Sequence, residues 1–304
     1  MVEAIPKNTN CLLVKTSSEI ALKSNQVRQY FTKKLVANIK LSLKKNNIPL
    51  EKITKGGGRL YIFSPDLQAV AKIMQTLVGV HAIALAVSTK FKEHEEIEKL
   101  VVEEAKQYLK KGDSFALRAK KSVEGPPSSK HYENTLGQAV MDSIQGLIVN
   151  LSKPEKQIFI EVRKRDFFVY FSNIPCLRGL PLGVEGNASF FFEGKKEELP
   201  AAYLLLYRGC NIFPVVEKKR AKLEAHINKL VPYNSYRGFV ITEQKDSQKL
   251  VEERKIQAIG TADSGTTEKD FTEYKKFDSN HPEVVLRPLL LYPKELIQEK
   301  QKLF

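Results

Sequence analysis

Residues 186–209, GNASFFFEGKKEELPAAYLLLYRG, constrain this chain more than any other segment. Residues 188–192 are short, apolar and aromatic, as a buried strand requires. Residues 198–207 carry the apolar positions of a helix packed on its neighbours. Strand, tight turn and helix in succession are the unit from which a parallel α/β sheet is built. Between them lies the turn Glu193-Gly194-Lys195-Lys196-Glu197. Phosphate is held at such a turn when small side chains let backbone N–H groups and a helix N-terminus approach it. Here one glycine remains, and Glu193, Glu197 and Glu198 place negative charge where a polyanion would dock. The turn has the position of a phosphate loop and side chains that oppose one.

The same alternation continues beyond it. Residues 211–216 and 238–242 read as strands, 217–230 as a helix, 284–286 as a last strand and 294–302 as a terminal helix. Residues 260–280 read as a long polar loop. Residues 1–90 follow the order β-α-β-β-α-β, which is ferredoxin-like. Three of its four strands are placed, at 11–15, 59–63 and 81–88, with helices over 24–46 and 66–77. Val27, Phe31, Leu35, Ile39 and Leu43 form the apolar stripe of the first helix, and Asp66 is its successor's N-cap. Residues 91–178 form a further unit: helix 95–110, strand 114–120, helix 131–149, and strands 157–162 and 166–171. The expected class is therefore α/β and α+β multidomain, with domains at 1–90, 91–178 and 179–304.

Charge is distributed unevenly. Residues 1–178 hold 29 Lys and Arg against 17 Asp and Glu, and residues 179–304 hold 20 against 18. A front half at +12 favours a polyanionic partner, because each neutralised phosphate releases counterions. A mean hydropathy of −0.30 describes an ordinary globular chain. No apolar run approaches the ~18 residues of a membrane span, and the N-terminus lacks an apolar signal region, so a cytoplasmic location without membrane contact is expected. Cys11, Cys176 and Cys210 form no CxxC, which argues against a disulfide framework, a zinc ribbon or an iron–sulfur cluster. The five histidines are scattered, and neither a catalytic triad nor a metal site is expected.

Several segments resemble one family. Ala201-Ala202-Tyr203-Leu204-Leu205 and Arg208-Gly209 match the pyrophosphatase loop of the tRNA 4-thiouridine synthetases (tRNA sulfurtransferases), whose pattern is SGGxDSPVAAYLL followed by RG. Residues 17–31 are similar to the family's YGEIxLKxxNRxxF through Glu19, Ile20, Leu22, Lys23, Asn25, Arg28 and Phe31. Gly58-Arg59-Leu60-Tyr61, Val78-Gly79-Val80 and Val285-Leu286-Arg287-Pro288-Leu289 also follow it. FALRAKKS, LGQAVMD and the stretch VNLSKPEKQIFIEVRKRDFFVYF resemble a THUMP domain.

The resemblance implies a ferredoxin-like domain, a THUMP domain and an adenine-nucleotide-hydrolase-like parallel α/β domain. It also implies tRNA as the ligand, gripped at its acceptor arm and 3′ end. The RNA-binding candidates are Lys23, Arg28, Arg59, Arg118, Lys120, Lys121, Lys130, His131, Arg163, Lys164 and Arg165. Arg163, Lys164 and Arg165 are expected at a solvated hairpin tip, and His131 and Tyr132 as stacking platforms. Taken singly, each of these residues reads better as solvated surface; the cluster, with the family resemblance, points to RNA.

On the family frame the essential Asp falls on Glu197, Glu193 and Glu198 replace serines, and Lys195 replaces a glycine. Glu193, Gly194, Lys195, Lys196, Glu197 and Glu198 are thus a degenerate nucleotide loop. The expectation is a tRNA-binding protein of tRNA thiolation without adenylation, working with a complete sulfurtransferase or a sulfur donor, and compatible with a homodimer. No catalytic residue or cofactor is assigned; ATP and Mg²⁺ enter only if the variant loop works. Two alternatives stay open: an active sulfurtransferase in which Lys195 or Lys196 replaces lost backbone donors, and an RNA-free scaffold. Cys210, at the start of an apolar strand, is expected to be a buried inert thiol.

Overall fold

The computed structural model describes residues 5–91, 93–122, 124–163 and 166–304. Its strands are β1 (Cys11–Thr16), β2 (Lys52–Gly56), β3 (Arg59–Phe63), β4 (Val80–Lys90), β5 (Ser114–Lys121), β6 (Ile148–Val149), β7 (Lys156–Val162), β8 (Asp166–Tyr170), β9 (Ile174–Arg178), β10 (Asn187–Phe191), β11 (Asn211–Val216), β12 (Thr242–Glu243), β13 (Ala258–Gly260) and β14 (Val284–Leu286). Its α-helices are α1 (Ser18–Ala21), α2 (Asn25–Lys45), α3 (Leu67–Gln75), α4 (His94–Tyr108), α5 (Ser129–Ser143), α6 (Glu198–Tyr207), α7 (Ala221–Asn228), α8 (Ser247–Arg254), α9 (Glu268–Ser279) and α10 (Lys294–Gln301). They form two compact units whose segments interleave along the chain.

The first unit comprises Met1–Thr16, Ile48–Gln75 and Ala82–Cys176. One sheet runs through it in the order β2-β3-β1-β4-β8-β7-β5-β6, with β9 also on β4. Strand β4 joins the two sequence patterns into this sheet by lying between β1 and β8. On one face, Phe115, Leu117, Ile158, Ile160 and Val169 pack with Ile97, Val101, Leu136 and Val140 from α4 and α5. On the other, Cys11, Leu13, Tyr61, Phe168 and Tyr170 close over Ala84 and Ala86. A flat sheet would hold β3 and β8 about 14 Å apart, three strand spacings. Instead the rings of Tyr61 and Phe168 stack with centroids 4.2 Å apart. The sheet is therefore strongly curled, and the two alanines of β4 leave room on its inner face for the rims to meet.

The second unit comprises Ser17–Asn47, Thr76–His81 and Leu177–Phe304. Its five strands are parallel, in the order β12-β11-β10-β13-β14. The chain adds strands to one side of β10 and then to the other, so the order reverses there. In open α/β sheets that reversal opens a crevice at the C-terminal strand ends. Helix α6 packs against β10 and β13: a Cβ at Gly260 would lie 2.6 Å from both Phe190 and Leu205. Asn38 of α2 is buried in this unit and donates to the Leu182 carbonyl at 3.2 Å.

Four sequence expectations change. The polar stretch 260–280 holds helix α9, because Thr267 and Asp270 make a reciprocal capping box and Phe271, Tyr274 and Phe277 share one side. The helix expected over 131–149 stops at Ser143, and Ile148–Val149 pairs with β5 instead. The strand expected over 238–242 shrinks to Thr242–Glu243. Val27 of the α2 stripe is 38% exposed, whereas Phe31, Leu35, Ile39 and Leu43 are buried. The Asp66 cap forms, accepting the Ala69 N–H at 2.9 Å.

Candidate functional site

The degenerate loop lies at the crevice of the second unit. Strand β10 delivers buried Phe192 into the turn, and α6 starts at Glu198. Gly194 sits at φ +101°, a conformation that L side chains rarely adopt. Glu198 is 2% exposed, and its carboxylate turns back into the loop. Its Oε1 accepts the Glu193 N–H at 2.8 Å, and its Oε2 accepts the Gly194 N–H at 3.0 Å. These are donors of the kind that a phosphate-binding turn offers its ligand. The chain's own carboxylate holds them.

Of the three acids expected to repel a polyanion, Glu198 alone enters the loop. Glu193 is exposed and ion-paired with Lys195. Glu197 is half-buried at the helix start and makes no side-chain cap. Lys196 is exposed. Nε2 of His226 on α7 lies 3.8 Å from Glu198 Oε2. Burial holds His226 below the ordinary histidine value, against the pull of Glu198. The loop borders a cleft of about 1100 Å³. Both signs of charge line it, Lys218, Arg220 and Lys229 among the cations and Glu217 and Asp263 among the acids. Arg287, from the VLRPL match, anchors this rim by binding Asp263 at 2.9 Å and Asp278 through two nitrogens at 2.7 and 3.2 Å. Cys210 is a buried free thiol, and burial pushes it above the ordinary thiol value.

The curled sheet of the first unit carries a cationic centre. Glu161 of β7 is 1% exposed. Its carboxylate accepts from Arg59 Nε at 3.2 Å, from Arg163 Nη2 at 2.5 Å and from Tyr170 Oη at 3.3 Å. Burial raises the Glu161 pKa, but the two guanidiniums and their hydrogen bonds overcome that and leave it below the usual carboxylate value. The expectation of a solvated Arg163 is thus corrected: it is 7% exposed. Strand alternation explains this, since Arg163 follows Glu161 by two positions and shares its inward face. Lys164 and Arg165 lie outside the described residues.

Parallel register sets Arg118 opposite Phe159 and Lys120 opposite Glu161, so both cations share this inner face. Arg118 donates to the Leu151 carbonyl. Sequence reasoning missed Lys15 and Glu161. Alternation from Cys11 and Leu13 puts Lys15 inside, and a lone Glu in the apolar strand KQIFIEV was the other signal.

The remaining candidates are dispersed. Lys121, Lys130 and His131 lie at the end of β5 and the start of α5, where Lys121 donates to the Gly125 carbonyl and Lys130 pairs with Glu133 at 3.4 Å. His131 is exposed, with its ring 5.9 Å from that of His94. Tyr132 is 4% exposed in the core beneath α4 and α5, so it offers no stacking surface. Lys23 and Arg28 belong to the second unit, both exposed, with Arg28 bonded to the Lys23 carbonyl at 3.0 Å.

The ThiI ferredoxin-like domain matches residues 11–84, and the THUMP domain matches residues 91–172. The probable tRNA sulfurtransferase of Methanosarcina acetivorans is 34% identical over 201 residues, 65% of this chain and 48% of that protein. That of Methanosarcina mazei is 32% identical over 213 residues, 69% of this chain and 52% of its own length. The chain spans about half the length of these curated relatives. Among solved structures, PH1313 from Pyrococcus horikoshii superimposes with a TM-score of 0.85 at 22% identity, covering 96% of this chain and 98% of its own. A 4-thiouridine synthetase–RNA complex with bound ATP gives 0.79 at 19% identity, covering 97% and 84%. At those identities the likeness is one of fold.

Proposed function

Because this chain belongs with the tRNA sulfurtransferases, carrying the ThiI ferredoxin-like and THUMP domains, we propose that it binds tRNA and does not adenylate it. The tRNA is held at its acceptor arm and 3′ end by the cations of residues 1–178, and thiolation depends on a complete sulfurtransferase or a sulfur donor.

The observation that carries this reading is Glu198. To reach the loop, a triphosphate must displace a buried carboxylate from two backbone donors. Hydrogen bonds to charged groups are worth about 1.5–3 kcal/mol each, so displacement costs roughly 3–6 kcal/mol, or ~10²–10⁴ in affinity. The opposing reading is an active enzyme using Lys195 as a phosphate ligand; its exposed pair with Glu193 is too weak to bar that use, and the Glu198 carboxylate is the obstacle.

Calorimetric titration with ATP and Mg²⁺, with and without tRNA, tests the reading. The wild-type chain is expected to retain tRNA, to show no saturable ATP binding at micromolar concentrations and to release no pyrophosphate. Glu198→Ser is expected to free the two N–H groups and strengthen pyrophosphate binding by at least tenfold. A thermal melt reports whether that variant stays folded. Pyrophosphate release by the wild-type chain that is lost in Glu197→Gln would establish a working variant enzyme instead.

A further inference from the structure

The curled sheet carries more positive charge and more donors than its own fold uses. Lys15 of β1, Arg59 of β3, Lys120 of β5 and Arg163 after β7 surround one carboxylate, Glu161. Arg59, Arg163 and Tyr170 already occupy that carboxylate. Arg163 Nε and Nη1 are buried without a well-formed hydrogen bond among the described residues, and the polar group beside that guanidinium is the equally buried Tyr61 hydroxyl. Buried donors of this kind are rare in folded proteins and call for an explanation.

The accessible side of the cluster belongs to the other three cations. Lys120 is exposed, Lys15 is half-buried, and the Arg59 side chain is 16% exposed against 8% for Arg163. Lys15 lies 5.2 Å from the centroid of the Tyr170 ring and donates to Asn173. These cations repel one another. Burial, then Arg59 and Lys120, hold the Lys15 ammonium down to about 8. Arg59, then burial, holds Lys120 below the ordinary lysine value. Charges kept together at a cost in stability, with donors left over, describe a site for an anion that supplies both negative charge and acceptor oxygens.

We propose that Lys15, Arg59 and Lys120 bind one phosphodiester group of an RNA strand at the mouth of the curled sheet, with Arg163 supporting them from behind. This rests on the tRNA reading above and goes further by assigning the contact to an inward-facing cluster. Arg59 and Arg163 also hold Glu161, so Lys15 and Lys120 are the residues to vary.

The test uses the full chain, transcribed tRNA and a salt titration. Losing one whole phosphate contact makes the slope of log K against log salt less negative by about 0.7–0.9, and removing one of its three cations is expected to give a part of that change. Lys15→Gln and Lys120→Gln are each expected to show that partial change together with a ~5–10-fold loss of affinity at low salt. Lys15→Gln is also expected to melt at a higher temperature at pH 7. The sign follows from its lowered value: the folded state resists the charged form, so Lys15 destabilises below pH ~8 and that penalty disappears as pH rises toward 10.5. A lysine with only a structural role would change melting in the opposite direction. Acetylation of Lys15 by an N-hydroxysuccinimide ester, read by mass spectrometry, is expected to slow when tRNA is bound. Wild-type slope and affinity in both variants, or unchanged Lys15 acetylation with tRNA bound, overturns this site while leaving the tRNA reading intact. Failure of the wild-type chain to retain tRNA overturns both.

Discussion

Glu161→Ala is expected to destabilise the protein by about 3–5 kcal/mol, the usual result of removing one partner from a buried ion cluster. The variant leaves Arg59 and Arg163 facing each other across a buried space, with a Tyr170 hydroxyl that has lost its acceptor. Glu161→Gln keeps an acceptor but not the charge, and is expected to lose less. The pH dependence has a definite sign. The Glu161 pKa is depressed in the fold, so its contribution is full above the unfolded value near 4.5 and is lost as pH falls below that value through the folded one. Urea unfolding at pH 7 and at pH 4 measures both effects. A loss below about 1 kcal/mol for Glu161→Ala at pH 7 would show that the cluster adds little to stability. Reversing the charge of Arg163 is expected to act in the same way, as damage to the fold, and is a poor probe of RNA contact.

Affinity for tRNA is expected to fall by ~10³ between 50 and 200 mM salt, the behaviour of a protein that neutralises about six phosphates. The basis is the +12 net charge of residues 1–178 beside near neutrality in the rest. Filter binding or fluorescence anisotropy across that range gives the slope directly. A slope flatter than about −1 would mean that the cations are a solvated surface. The full chain is the right reagent. The units interleave, so cutting after residue 178 would part Asn38 of α2 from its buried acceptor at Leu182.

Much was legible from the residues alone. Periods of two and of about four identified β1, β3, β4, β5, β7 and β8 of the curled sheet, helices α2 to α6 and the β10–α6 unit, because periodicity records which face of an element is buried; the short strands β2, β6 and β9 were not read as strands. The charge asymmetry and the loss of small residues from the 193–197 turn are properties of composition and needed no coordinates. The capping box of α9 was also visible, as Thr267 followed three positions later by Asp270, although the polarity of the stretch read as a loop.

What only the tertiary structure decided is which side chains meet. Lys15, Arg59, Lys120 and Glu161 are far apart along the chain and lie on four strands. No local pattern reports that the sheet curls far enough to join them. That curl depends on non-local strand pairing and on the small residues of β4, and the same closure takes Arg163 out of solvent. The fate of Glu198 is of the same kind. Its sequence position predicts a repelling carboxylate at a helix start. Its role as the group that occupies the loop's own donors appears only when β10, the turn and α6 are folded against one another, which brings its carboxylate within 2.8 and 3.0 Å of the Glu193 and Gly194 nitrogens.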